Sequence, residues 1–183
     1  METLDHSPFP PLTWGHYFWV AELKLPSWAG FQVQYGDDRP AHDLPPSDGN
    51  ARLSISATDI CARTPPTTEQ VAAFRYLLDN ESAIADAVAF ALVEYCPGNT
   101  YDGDDEVLLG VTEPADLRFL VRLIGVHILT VVRDGMACIG FEFDCAWDGG
   151  HGAGVMTHSG QVIATGQADC SFTGWIARQG LDE

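Results

Sequence analysis

The stretch LVRLIGVHILTVVRDGMACIGFEFDCAW, Leu120 to Trp147, decides the fold of this chain. Two runs rich in Val, Ile, Leu and Phe flank the turn Arg133-Asp134-Gly135. Asp-Gly between apolar runs is a hairpin signal, because a tight turn of this kind needs positive φ, which these residues adopt at least cost. Side chains alternate along a strand, so Phe141, Phe143, Cys145 and Trp147 share one face and Glu142, Asp144 and Ala146 the other. The odd set reads as the core face. A second hairpin follows, GAGVMTH and QVIATGQA around Ser159-Gly160.

Upstream, HYFWVAELKL reads as a strand, PSWAG as a turn, and GFQVQYG as the returning strand of an antiparallel hairpin. A polar loop, GDDRPAHDLPPSDGN, leads to a third strand, ARLSISA, with Leu53 and Ile55 on one face. Helices come next. Thr67 followed by Gln70 is a capping box, and Val71, Phe74, Leu77 and Leu78 then fall on one helical stripe. Asn80 is the expected cap of a second helix, in which Ile84, Val88 and Leu92 recur one turn apart, and Pro97-Gly98 ends it. VLLG and EPADLRFL read as short connections. Strands, then helices, then strands predict an α+β fold: an antiparallel sheet of about six to eight strands with a helical pair inserted between its N- and C-terminal parts. The expected organisation is a single domain over 1–183, with strands in 1–60, the helical pair in 64–96 and the C-terminal strands in 107–173.

Composition narrows the function classes. The chain has 26 Asp and Glu against nine Lys and Arg, a formal net charge of -17. Nucleic-acid binding rests on basic side chains neutralising phosphates, so this balance argues against it, and equally against anionic membrane surfaces. The start METLDHSPFPPLTW has no basic region followed by an apolar one, and no apolar run approaches the roughly 18 residues of a membrane span. Five cysteines form no CxxC pair, and an odd count leaves one unpaired. A cytoplasmic protein with reduced thiols is expected.

The turn WDGGHGAG, Trp147 to Gly154, attracts attention because it gathers imidazole, carboxylate and glycine. Asp144, Asp148 and His151 are possible metal ligands by donor type, but their spacing matches neither HExxH nor CxxC. Cys145 with His151 and Asp148 is the corresponding nucleophile–base candidate, although Cys145 falls on the core face, where a thiol is inert. The structural alternative is that Trp147, Asp148, His151, Gly152, Gly154 and Asp169 hold a tight turn, Asp148 capping backbone N–H groups and His151 tying the turn down. No cofactor is expected.

Cys145, Trp147, Asp148, His151, Gly152, Gly154 and Val155, followed by Gly166, Ala168 and Asp169, resemble the C-terminal signature of an uncharacterised bacterial domain-of-unknown-function family. Its members read Cys-x-Trp-Asp-Glu-Glu-His-Gly-x-Gly-Val. LPSWAGF and TPPTTEQVAAFRYLL are similar to its upstream part. Gly149 and Gly150 stand where that family has two Glu; had those Glu been catalytic or ligating, this chain would lack the activity. The resemblance implies no known reaction, and only an association with toxin–immunity neighbourhoods.

Charge is also unevenly placed. Between Arg75 and Arg118 there is no Lys or Arg, but Asp79, Glu81, Asp86, Glu94, Asp102, Asp104, Asp105, Glu106, Glu113 and Asp116 all fall there. The loop around Asp102, Asp104 and Glu106 is no EF-hand, because Val107 occupies the position that needs Gly. A negative face speeds association with a cationic partner and sets its register. The expected function is an acidic, non-enzymatic binding protein, of the kind that inhibits a basic toxin, working through Asp79, Glu81, Asp86, Asp102, Asp104, Asp105 and Glu106. The alternatives are a small hydrolase or metal-dependent enzyme at Asp148/His151, and a structural or dimerising domain; monomer and dimer both stay open.

Overall fold

The computed structural model of the chain describes residues 2–34, 45–96 and 110–182. Eight strands lie side by side in sequence order in one sheet: β1 (Thr3–Leu4), β2 (Leu12–Trp14), β3 (Phe18–Ala29), β4 (Asp48–Ser56), β5 (Val121–Arg133), β6 (Met136–Cys145), β7 (Ala153–His158) and β8 (Gln161–Gly166). Helices α1 (Thr68–Asp79) and α2 (Glu81–Tyr95) stand between β4 and β5, and α3 (Gly174–Asp182) closes the described chain. The fold is α+β, with a mostly antiparallel sheet.

One pair departs from the expected pattern. β4 and β5 run parallel, with Ser54 opposite His127 and Ile55 opposite Ile128. A parallel neighbour requires a long crossover, and the α1–α2 pair supplies it. Gln70 fixes where that crossover starts. Its Oε1 accepts from the Thr67 N–H at 2.9 Å, completing the capping box, while its Nε2 donates to the carbonyls of Ser56 (2.8 Å) and Leu129 (3.1 Å). A single buried amide thus ties the start of α1 to both parallel strands.

The N-terminal hairpin is corrected. PSWAG is not a turn: β3 continues through it to Ala29, and its partner is β4, with Ala21 opposite Leu53 and Glu22 opposite Arg52. Pro26 is tolerated because the ladder is interrupted between Lys24 and Ala29, where no N–H is needed from it. Burial of Leu25 and Trp28 holds this length of strand in place. Phe31–Gln34 instead crosses to the 3-10 segment Pro114–Phe119, Gln32 N–H donating to the Arg118 carbonyl at 2.9 Å and Gln34 N–H to Phe119 at 3.0 Å. Asn80 is the N-cap of α2, as expected. It links the two helices, but its side chain donates back to the Tyr76 carbonyl at 2.9 Å and caps nothing in α2.

The two sheet faces are covered differently. On the inner face, Leu53, Ile55, Val126, Ile128, Phe141, Phe143 and Val155 pack against Phe74, Leu77, Val88 and Leu92 of the helical pair. Dispersion and hydrophobic burial at this interface form the main core. On the outer face a smaller cluster, Leu129, Val131, Cys138 and Met156, lies beneath Ala177 of α3 and Cys170 of the 3-10 segment Ala168–Ser171. That segment sits hard on the sheet because Gly140 and Gly154 lack Cβ atoms. One on Gly140 would run into the Ser171 carbonyl, and one on Gly154 would lie 2.6 Å from the Gln167 carbonyl. Among the described residues, no helix is long and apolar enough to cross a membrane.

Candidate functional site

The Trp147–Gly152 turn follows directly from the end of β6. Asp148 is buried while Gly149 and Gly150 are exposed. Its Oδ1 accepts from the His151 backbone N–H at 3.0 Å and pairs with His151 Nδ1 at 2.9 Å; its Oδ2 accepts from Gln167 Nε2 at 3.2 Å. Gly152 N–H closes the turn onto the Asp148 carbonyl at 2.8 Å. Gly152 has φ +66°, and a Cβ there would lie 2.5 Å from the Phe143 carbonyl, so only glycine fits. Burial by itself would raise the Asp148 carboxyl, but the hydrogen bonds from the His151 ring and backbone and from Gln167 outweigh it and hold the group below its ordinary range. One carboxylate therefore organises the whole turn.

Cys145 lies on the opposite side of that machinery. It is buried, its thiol donates to the Asp148 carbonyl at 3.6 Å, and burial pushes its pKa up to about 12. His151 Nδ1 faces Asp148, so the structure does not bring Cys145 and His151 together as nucleophile and base. Asp144 projects from the outer face, paired across the ladder with Arg122. Burial raises its carboxyl, Arg122 opposes this and Glu142 adds to it. Among the described residues no three His, Cys, Asp or Glu side chains are gathered in a way that would hold a metal ion, so Asp144, Asp148 and His151 do not form the ligand set their types allow. Trp147 is buried in the main core with its indole N–H unpartnered. Gly154 seats the Ala168–Ser171 segment, and the Asp169 carbonyl accepts from Phe172 and Thr173 N–H.

The acidic helical surface is partly different from its sequence reading. Asp79, Asp86 and Glu94 are exposed. Glu81 is engaged inside the molecule, one oxygen accepting from the Ser27 N–H at 2.9 Å and the other from its hydroxyl at 2.8 Å. It pins the start of α2 to β3. Asp102, Asp104, Asp105 and Glu106 lie outside the described residues. Between Asp86 and Glu94, one turn from each, stands Phe90, 57% exposed, and Leu78 beside Asp79 is 43% exposed. The sequence reading named Ile84, Val88 and Leu92 in this helix and did not weigh Phe90, which falls off that stripe.

A second His–carboxylate pair was not anticipated. His127 Nε2 and Glu142 Oε2 meet at 2.8 Å on the outer face, with side chains 16% and 25% exposed. The signal was present in the sequence. The turn sets Arg133 opposite Met136 and Val132 opposite Ala137; continued without a bulge, that register places His127 opposite Glu142. A register shift between Ile128 and Val132 makes Gly125 the direct partner instead, and the imidazole reaches Glu142 diagonally over it.

No curated protein and no solved structure matches this chain. Residues 45–172, which run from just before β4 to the end of the Ala168–Ser171 segment, match a protein family described as a domain of unknown function (DUF6985). That span covers well over half of the sequence and includes the α1–α2 crossover, both C-terminal hairpins and the Asp148 turn, and the chain belongs to the DUF6985 family.

Proposed function

We propose that the protein is a non-enzymatic, acidic binding protein that docks onto a basic protein through the solvent-facing stripe of α2, as an immunity-type inhibitor of a basic toxin would. The observation that carries this reading is the arrangement Asp86–Phe90–Glu94. An aromatic ring more than half exposed, with a carboxylate one turn to either side, has the composition of an interface hot spot with a charged rim. The carboxylates steer and orient a cationic partner, and the ring supplies area to bury. Asp79 and Leu78 extend the same mixture at the end of α1. The net charge of -17 adds a long-range field of the same sign.

In this proposal the family is bacterial, carries the C-terminal Cys-x-Trp-Asp signature, and uses the signature turn as architecture. A cytoplasmic location is part of it too, supported by four buried cysteines left as thiols, a state a reducing compartment maintains. The test compares retention of basic proteins by the wild type and by a Asp86→Asn/Phe90→Ala/Glu94→Gln variant of equal thermal stability. A basic protein held by the first at low salt, released by higher salt and absent from the second, is the expected result. Equal retention by both would contradict the proposal.

A further inference from the structure

Helix α2 has apolar side chains on both of its faces. Ile84, Val88 and Leu92 are buried in the main core. The opposite face is formed by Ala83, Asp86, Ala87, Phe90 and Glu94, which recur at intervals of three and four residues; all are exposed but Ala87, which is half-buried. A helix with one face on the core and the other in water ordinarily turns charged and polar side chains outward. Here three of the five outward positions are apolar, and the two that are charged are both acids.

The shape of this face narrows what can cover it. From Ala83 to Glu94 the ribbon runs about 16 Å at roughly 1.5 Å per residue. Ala83 and Ala87 project least of all chiral side chains, so they form a low floor on which a neighbouring helix axis can come close. Phe90 is the one large apolar group standing above that floor, and a helical side chain leans toward the N-terminus, over the turn of Asp86 and Ala87. A loop can cover one ring. A straight ribbon repeating every three to four residues is matched along its length by another helix, whose own side chains recur at that spacing. A second copy of α2 is opposed by charge. Laid parallel, it sets Asp86 against Asp86 and Glu94 against Glu94; laid antiparallel about Phe90, it sets Asp86 against Glu94 twice. Either contact gathers four carboxylates with no base on the helix to offset them.

We propose that the element α2 receives is a basic, amphipathic helix of the partner protein. Its apolar stripe packs on Ala83, Ala87 and Phe90, and Lys or Arg side chains on its margins meet Asp86 and Glu94. This inference rests on the docking role proposed for α2 and adds the partner's secondary structure and side-chain spacing to its charge.

The test is an NMR titration of the full chain, nitrogen-15 labelled, with a synthetic Leu/Lys peptide in which Leu recurs every three to four residues. Its scrambled isomer, of identical composition and charge, is titrated in parallel. Saturable amide shifts centred on Ala83–Glu94 are expected with the patterned peptide, at an affinity roughly tenfold or more above that of the isomer, and Phe90→Ala should remove about the same factor. Ala87→Gln raises the floor with a neutral side chain of good helix propensity, so it should weaken the patterned peptide several-fold where a purely electrostatic attraction would be indifferent. Equal binding of the two peptides, or binding unaltered by Ala87→Gln in a variant that melts like wild type, overturns the helix inference. Salt-sensitive retention of a basic protein, lost in the Asp86→Asn/Phe90→Ala/Glu94→Gln variant, would then leave the docking role of α2 standing. Failure of that retention as well would remove both.

Discussion

The Asp148–His151 pair and the Glu142–His127 pair use the same two functional groups at nearly the same separation, 2.9 and 2.8 Å, and do different things. In the turn the carboxylate is the buried member, 8% exposed, and the imidazole the exposed one, at 61%. Asp148 spends both oxygens on its own loop and on Gln167, so its free energy goes into one backbone conformation. On the sheet the two members, 16% and 25% exposed, bridge two neighbouring strands and engage no turn. A His–carboxylate contact is thus uninformative by itself. What distinguishes the two is how much backbone each carboxylate organises.

Removing each carboxylate separates the two roles most sharply. Asp148→Ala leaves the His151 N–H, the Gln167 amide and the imidazole without their acceptor, and is expected to cost about 2–4 kcal/mol in urea unfolding. Gly152→Ala should follow at about 1–3 kcal/mol, since it combines an unfavourable positive φ with a collision at the Phe143 carbonyl. Glu142→Gln, in contrast, should change stability by less than about 1 kcal/mol, because an amide still accepts from His127 and the pair is partly solvated. If Glu142→Gln proved as costly as Asp148→Ala, the distinction between the two pairs would fail.

Acid unfolding sharpens the same contrast. The Asp148 carboxyl is held below its ordinary value in the folded protein, so it binds protons more readily when unfolded. Its contribution is present at neutral pH and is lost as pH falls through the carboxylate range, from about pH 4 downward. Asp148→Asn should therefore lower stability at pH 7 and flatten the acid limb of the stability profile. A variant whose profile runs parallel to wild type across that limb would show that the folded and unfolded carboxyls titrate alike.

Local signals in the sequence were read well where one element suffices. The turns at Asp134-Gly135 and Ser159-Gly160 have the positive φ that their residue types invite, and the Thr67–Gln70 capping box forms. The alternation in FEFDCAW placed Phe141, Phe143, Cys145 and Trp147 in the core. Signals that depend on a distant partner were not legible. Pro26 and Gly30 look like turn residues, and only pairing with β4 shows that β3 runs between them to Ala29. The parallel β4–β5 pair follows from where the crossover lands, which Gln70 reaching Ser56 and Leu129 helps to set. The eye was drawn to WDGGHGAG because its polar groups are contiguous. His127 and Glu142 lie 15 residues apart and are seen as neighbours only when the hairpin register is counted back from its turn. Phe90 falls off the Ile84–Val88–Leu92 stripe, and its 57% exposure is a property of the folded helix that no local pattern states.

The claim on which the functional account rests is that recognition uses α2 while the Asp148 turn only shapes the molecule. Hydrogen–deuterium exchange of the protein with a basic partner retained by the wild type tests it directly. Added protection concentrated in the segment around Asp86, Phe90 and Glu94, with exchange in Trp147–Gly152 unchanged, is the expected result. Protection centred on the Trp147–Gly152 turn, with α2 exchanging as in the free protein, would contradict it.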